Sequence, residues 1–424
     1  MESITQPGIW WLPDNPTKTI AGTLTFSDKE GAYIDFIGSF RGRDEPFPKD
    51  GYPVILGSTT KGEPVTLQSA IIHGESSVSL GHSGNEFRTQ RLYVNYAFFG
   101  AHFQTPDDIR FHKADIALSH LQDWLGYRNY ETEYVEGDLN QLRVTYTLPR
   151  LVSVATHKGT ITVSHRHQVI EQFKRGIEVK QSVSLVIEAS EMSFRDWHSN
   201  FIYPLQTFLT LATNKWNSVH RFCLFSQQYT LPGHAEIELP IEAYFQPYNH
   251  AGEQEVVHNP LFTFEQVKDD ISGIMDRWLN IIEKYQPSCE LFFSVMLTPR
   301  MYIDNQFLNL VQAAESFHRI KTGNNDRFLQ RIEALVEDTW SMIPWMIGDR
   351  KEFIKTVRDT RNYYTHRDLA GRSRALHGEE LNGLAESIKF MLHAVLLKEL
   401  LLPPDLYNGM FRNGHYQSYG WRNR

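Results

Sequence analysis

Arg361 and His366 stand with four residues between them in the run Arg361-Asn362-Tyr363-Tyr364-Thr365-His366. An arginine carries a permanent, planar charge whose fork of donors matches phosphate oxygens. A histidine takes and returns a proton near neutral pH. The two side-chain types together suit RNA cleavage. RNA supplies its own nucleophile, the 2'-hydroxyl; a histidine can move the proton, and an arginine can stabilise charge on the pentacoordinate phosphate. This chemistry calls for no metal and no cofactor, and none is expected. The same spacing recurs at Arg372 and His377, so the setting of each pair must decide between them.

The first pair lies on a helical pattern that starts near Asp349 and runs through Tyr364, with Phe353, Val357 and Tyr364 as its apolar stripe. Lys355, Asp359, Asn362 and His366 recur on another stripe, so Asp359, Asn362 and His366 can share a polar face. Arg361 projects about 100° from Asn362, and its long side chain can still reach a phosphate near His366. Arg350, Lys351, Lys355, Arg358, Arg361, Arg367, Arg372 and Arg374 cluster here, offset in part by Asp349, Glu352, Asp359 and Asp368. Such a run is ordinarily a solvated helix face. In a chain of net charge -8 it is also a local footprint for RNA. The second pair is bounded by Gly371 and Gly378 and reads as an interhelical loop, a poor place to hold two catalytic groups.

Helical patterns fill the chain from Asn259-Pro260 onward. One runs from about Phe264 to Tyr285 on Val267, Ile271, Ile274, Trp278 and Ile281, with Pro287 as its stop. A short apolar segment follows from Glu290 to Leu297. The next helix spans about Asp304 to Lys321, with Phe307, Leu310, Val311, Ala314 and Phe317 as core face and Gly323 as stop. Glu315 lies at the edge of that stripe, either as a surface carboxylate paired with Arg319 at i+4 or as a functional group. Further helices are expected at Asp326 to Val336 and Glu379 to Leu401.

From Gly22 to about Val186 the pattern is instead short β-rich runs separated by Gly, Pro, Asp and Asn. It predicts an antiparallel sheet or sandwich. One helix is expected within this half, about Ser193 to Ala212, kinked or divided at Pro204, followed by strands near Arg221 to Phe225 and Glu236 to Phe245. No catalytic set appears there. His165 and His167 face one side of a strand but lack a third metal ligand. Gly81-His82-Ser83-Gly84 does not match a phosphate loop, and Trp10, Trp11 and Trp124 fit packing roles.

Composition narrows the class. The chain has 424 residues, 41% hydrophobic and 22% charged, enough for two ordinary globular domains. The net charge of -8 argues against a protein that coats nucleic acid non-specifically. Cys223 and Cys289 form no CxxC pair, so neither a disulfide framework nor a cysteine-rich zinc site is expected. Met1 to Gly8 lacks the features of a secretory signal, and Phe390 to Leu402 is interrupted by His393, Lys398 and Glu399, which suits a buried helix better than a membrane span. A soluble, cytoplasmic protein is expected.

Leu310-Val311-Gln312-Ala313-Ala314-Glu315-Ser316-Phe317-His318-Arg319, followed by Thr360-Arg361-Asn362-Tyr363-Tyr364-Thr365-His366, resembles the ApeA-like branch of the HEPN superfamily. The first half resembles the N-terminal domain that accompanies it, through Ala101-His102-Phe103 and Leu121-Gln122-Asp123-Trp124-Leu125. The resemblance implies a bacterial anti-phage protein of the abortive-infection type. It also implies that helical bundles pair to bring two Arg/His motifs to one cleft, making a homodimer or higher homo-oligomer. Carried over, Arg361 and His366 become the catalytic pair of a metal-independent endoribonuclease acting on cellular RNA, tRNA among the candidates. Asn362 is the polar residue that commonly follows the arginine, and Glu315 matches a recurrent glutamate.

The expected fold is therefore α+β. A β-rich sensor or regulatory domain over 1–255, responding to a phage-derived trigger, precedes an all-α HEPN bundle over 256–402 and a C-terminal tail over 403–424. Arg361 and His366 are the expected catalytic residues, with Asn362, Glu315 and Asp359 in support. Two other readings stay open: a non-catalytic dimerisation or nucleotide-binding module, and a ligand-binding protein with a helical scaffold.

Overall fold

The computed structural model describes residues 3–27, 29–42, 45–46, 48–79, 86–135, 138–173, 176–246, 256–298, 300–367, 369–403 and 406. Gly81 to Gly84 and the aromatic tail beyond 406 lie outside them. The chain forms two compact units. One comprises Met1–Gln122, Arg128–Tyr203 and Ser218–Glu255; the other comprises Asp123–Tyr127, Pro204–Asn217 and Val256–Arg424.

The first unit is β-rich and antiparallel. Its leading strands are β1 (Ile4–Leu12), β2 (Asn15–Ser27), β3 (Gly31–Ile37), β4 (Tyr52–Thr59), β5 (Pro64–Ser79) and β6 (Glu86–Phe99). They pair in the order β6-β3-β2-β1-β4-β5, and β5 also pairs with β6, which closes a barrel. Closure removes the sheet edges that would otherwise be exposed. Leu24 and Phe26, Ile34 and Phe36, and Leu92 and Val94 alternate into its interior. Trp10 is fully buried and its indole N–H donates to the Gly22 carbonyl at 3.1 Å. Gly57 makes room for that ring, since a Cβ there would stand 2.1 Å from it.

The following strands are β7 (Arg110–Leu118), β8 (Tyr130–Val135), β9 (Asp138–Tyr146), β10 (Val152–Thr156), β11 (Gly159–Gln172), β12 (Gly176–Ser193), β13 (Val219–Phe225), β14 (Thr230–Leu231), β15 (His234–Glu238) and β16 (Ile241–Phe245). Six of them extend the barrel sheet from β6 in the order β16-β13-β7-β12-β11-β10, while β8-β9 and β14-β15 are separate ribbons. Asp115, 3% exposed, is neutralised by Arg166 and by Arg221, the latter at 3.0 Å. His165 is half-buried, which depresses its proton affinity, and the exposed His167 ring lies 5.0 Å from Tyr146.

The helices are α1 (Leu121–Leu125), α2 (Phe194–Trp197), α3 (Tyr203–Thr213), α4 (Phe264–Val267), α5 (Ile271–Lys284), α6 (Gln286–Leu297), α7 (Ile303–Thr322), α8 (Phe328–Thr339), α9 (Pro344–Ile347), α10 (Arg350–His366) and α11 (Gly378–Glu399). The division expected at Pro204 is a π-helical turn, His198–Ile202, immediately before α3. Proline has no N–H to give, and the widened turn absorbs its ring.

Two helix boundaries differ from the sequence pattern. The span from Phe264 to Tyr285 is broken by a 3-10 turn at Lys268–Asp270. Pro287, expected as a stop, instead sits in the first turn of α6, where its missing N–H has no intrahelical partner to lose.

The second unit has an aromatic core drawn from distant sequence. The Trp124 ring meets Phe208 at 5.4 Å and Phe264 at 5.6 Å, and Phe208 meets Trp278 at 6.0 Å. Trp278 donates to the Pro204 carbonyl at 2.7 Å. Tyr285 stacks on Phe317 at 4.4 Å. Cys223 and Cys289 are both free and buried. No helix among the described residues is long and apolar enough to cross a membrane.

Candidate active site on the helical unit

Three helices build the site. On α7, Phe307, Leu310, Val311, Ala314 and Phe317 are buried, as their spacing predicts, and this sets Glu315 at the rim with its side chain 17% exposed. On α10, Phe353, Val357, Thr360 and Tyr364 are buried at intervals of four, three and four. The buried Thr360 hydroxyl accepts from the Leu376 N–H at 3.2 Å. Asp349 caps the start of α10 by accepting from the Glu352 N–H at 2.8 Å. Arg367 ends it in the left-handed conformation, φ 53°, with its side chain donating to Asp304 of α7 at 2.8 Å. Both ends of the motif helix are therefore fixed.

Arg361 is half-buried and points into the bundle. Its Nη2 lies 3.6 Å from Glu315 Oε2, its Nη1 donates to Asn362 Oδ1 at 3.4 Å, and its Cζ stands 5.1 Å from the centre of the Phe328 ring. Glu315 does not turn to Arg319. Its other oxygen, Oε1, lies 3.7 Å from Nη1 of Arg331 on α8, a residue only 3% exposed. Both separations are ion pairs longer than a hydrogen bond. The donor fork of Arg361 is held in place without being consumed.

The other expected site residues are placed differently. Asp359 is gripped by its own neighbour: Arg358 Nε and Nη2 reach its Oδ1 at 2.8 and 2.7 Å. Asn362 and His366 are exposed, and His366 is the last residue of α10. Among the described residues no hydrogen bond or ion pair joins Arg361 to His366. The helical steps from residue 361 to residue 366 separate them by about 140° of rotation and about 7.5 Å of rise.

Arg350 is tied to Glu337, and Arg358, Arg361 and Arg367 are also paired, so the cationic surface rests on Lys351, Lys355, Arg372 and Arg374, all exposed. The second Arg/His match lies on a 3-10 turn, Leu369–Arg374, and the residue before α11.

Sequence reasoning missed Arg331, Phe328 and the Asp304–Arg367 tie. A signal for Arg331 was present: it falls on the stripe of Phe328, Ile332, Leu335 and Val336, where a charge needs a buried partner.

Residues 7–278 match the family model for ApeA N-terminal domain 1, more than half of the 424 residues. Residues 308–406 match the model for Apea-like HEPN. The chain belongs to the ApeA-like HEPN family. The HEPN match spans α7, α8, α10 and α11, so Glu315, Arg331, Arg361 and His366 all fall inside it. No curated protein and no solved structure matches the chain. Membership supports a nuclease-type role in anti-phage defence.

Proposed function

We propose that the protein is a metal-independent endoribonuclease of abortive infection, with Arg361 and His366 as its catalytic pair. The observation that carries this is Arg361 itself. Its guanidinium is oriented by Glu315, Asn362 and the Phe328 ring, yet its ion pair with Glu315 is loose. That is what a phosphate-binding arginine requires: fixed direction with donors to spare.

His366 sits five residues on, exposed at the helix end, where a substrate or a second copy can reach it. It takes the 2'-hydroxyl proton or protonates the leaving 5'-oxygen, while Arg361 stabilises the phosphorane charge. Because the two side chains leave α10 in different directions, the reading includes a homodimer or higher homo-oligomer. There, Arg361 of one copy and His366 of another would serve one scissile phosphate. Asn362 and Glu315 support Arg361, and Asp359 restrains Arg358. The substrate is cellular RNA in the cytoplasm, tRNA among the candidates.

The β-rich unit is read as the sensor of a phage-derived trigger. A concavity of about 680 Å³ on it, lined by Tyr33, Arg91, Tyr93, Asn95 and Gln246 among others, supports that assignment, being in the size range of ligand sites. Sequencing RNA ends from cells expressing wild type and His366→Ala tests the whole reading. New ends are expected in wild type alone; identical ends in both would sink it.

A further inference from the structure

We propose that Arg331 is a positioning residue that keeps Arg361 available to phosphate by dividing the charge of Glu315. This rests on the reading of Arg361 as the phosphate-binding group.

Arg331 sits on the apolar stripe of α8, beside Ile332 and one turn before Leu335, and is 3% exposed. A buried guanidinium is costly unless it is paired. Its Nε is buried with no acceptor among the described residues, and its ion-pair partner there is Glu315 Oε1 at 3.7 Å. The same carboxylate presents Oε2 to Arg361 Nη2 at 3.6 Å. One negative charge therefore stands between two positive ones, and the trio carries a net charge of +1.

Consider the site without Arg331. Glu315 and Arg361 would be a one-to-one pair of zero net charge. Arg and carboxylate favour bidentate, hydrogen-bonded contact, so the carboxylate would draw the fork of Arg361 inward. An incoming phosphate would then compete with a carboxylate for the same donors. With Arg331 present, neither arginine closes on Glu315, as the two similar and long separations record. Phe328, three residues before Arg331 on α8, supports the guanidinium of Arg361 from another side. Arg331 itself is buried and touches no substrate.

The test uses the full-length protein and bulk tRNA as probe, with kcat and KM measured beside thermal melts. R331M removes the dividing charge and leaves no unpaired charge in its place. KM should rise by between about tenfold and a hundredfold, the worth of a charge-assisted contact, with a smaller change in kcat. The double variant R331M/E315Q removes the competing carboxylate as well, and should recover most of the lost KM. A role limited to packing predicts the opposite order, with the double variant no better than the single.

If R331M does not fold, R331K decides. A lysine charge still divides Glu315, so KM should stay within about threefold of wild type. Folded R331M with a wild-type KM, a double variant that recovers nothing, or folded R331K with KM raised about tenfold or more would each overturn the proposal. Arg361→Ala separates it from the reading beneath it. Full activity in Arg361→Ala, or a wild type inert on both bulk tRNA and total cellular RNA, defeats that reading. An inactive Arg361→Ala beside an unaffected R331M defeats only the role of Arg331.

Discussion

The Tyr364 hydroxyl lies 3.0 Å from His377 Nδ1, and His377 Nε2 lies 3.1 Å from the Arg372 carbonyl. A carbonyl only accepts, so Nε2 carries a proton and donates to it, and the Tyr364 hydroxyl also reaches the Leu376 carbonyl at 3.3 Å. The second Arg/His match is thus held by backbone and by the motif helix, and its histidine is a strut. Arg372→Ala and His377→Ala should cleave RNA within a few-fold of wild type. Tyr364→Phe should lower stability by about 1 kcal/mol, the worth of one hydrogen bond. Thermal melts and cleavage assays on the three variants check this. A His377→Ala protein as inactive as His366→Ala would transfer the chemistry to the second match.

Periodicity made the motif helix and the core face of α7 legible, because both present one apolar stripe to one bundle. The alternation of Leu24 and Phe26 or of Ile34 and Phe36 likewise announced strands, but the barrel also needs β3 on β6, with Ala32 opposite Val94, and β1 on β4, with Ile9 opposite Ser58, pairings far apart in sequence that leave no local trace. The setting of Glu315 was not legible either. The i+4 rule offered Arg319 as its partner, and the tertiary fold supplied Arg331 and Arg361 from other helices. Arg361 and His366 were found from residue type and spacing; their different directions came from helix geometry that the spacing alone already contains.

The core of the helical unit depends on residues far upstream. Phe208 and Trp124 pack with Phe264 and Trp278, and the Ala212 carbonyl accepts from the Leu261 N–H at 2.7 Å. A fragment starting at residue 256 would lack both aromatic side chains. Loss of one large buried aromatic costs about 3–5 kcal/mol, so the fragment should be insoluble or melt far below the full chain. A 256–424 fragment with full-length stability, by calorimetry, would contradict this. The proposed sensor role is therefore better probed by Tyr33→Ala and Tyr93→Ala in the intact protein.

His393 gives the fold a dependence on pH. It is fully buried on α11 between the Phe292 and Phe390 rings, and burial, followed by the nearby Lys389, holds its pKa well below the ordinary 6.5. Below pH 6.5 the unfolded chain takes up a proton that the folded chain refuses. The folded state is thus fully favoured above that pH and loses up to about 1.4 kcal/mol per unit as pH falls toward the folded pKa. His318, also lowered by burial, adds in the same direction. Wild type should melt lower at pH 5.5 than at 7.5, and His393→Leu should narrow that difference. An unchanged difference would remove His393 from the account.

The pair Arg361 and His366 should carry cleavage without a metal, since a guanidinium and an imidazole together supply charge stabilisation and proton transfer at the phosphate. Arg361→Ala should lose most activity. Arg361→Lys should rescue poorly, because a point charge cannot replace a planar fork that Glu315, Asn362 and Phe328 orient. His366→Ala should fall by about 10²–10⁴ in rate, the usual share of a positioned acid or base. Asn362→Ala should be milder, since it removes only the 3.4 Å contact to Arg361. Products should end in a 2',3'-cyclic phosphate or its opened form, and EDTA should leave the rate unchanged. Cutting at a scissile 2'-deoxynucleotide, or a rate abolished by EDTA and restored by a divalent cation, would replace this mechanism with one in which water or a metal-bound group attacks.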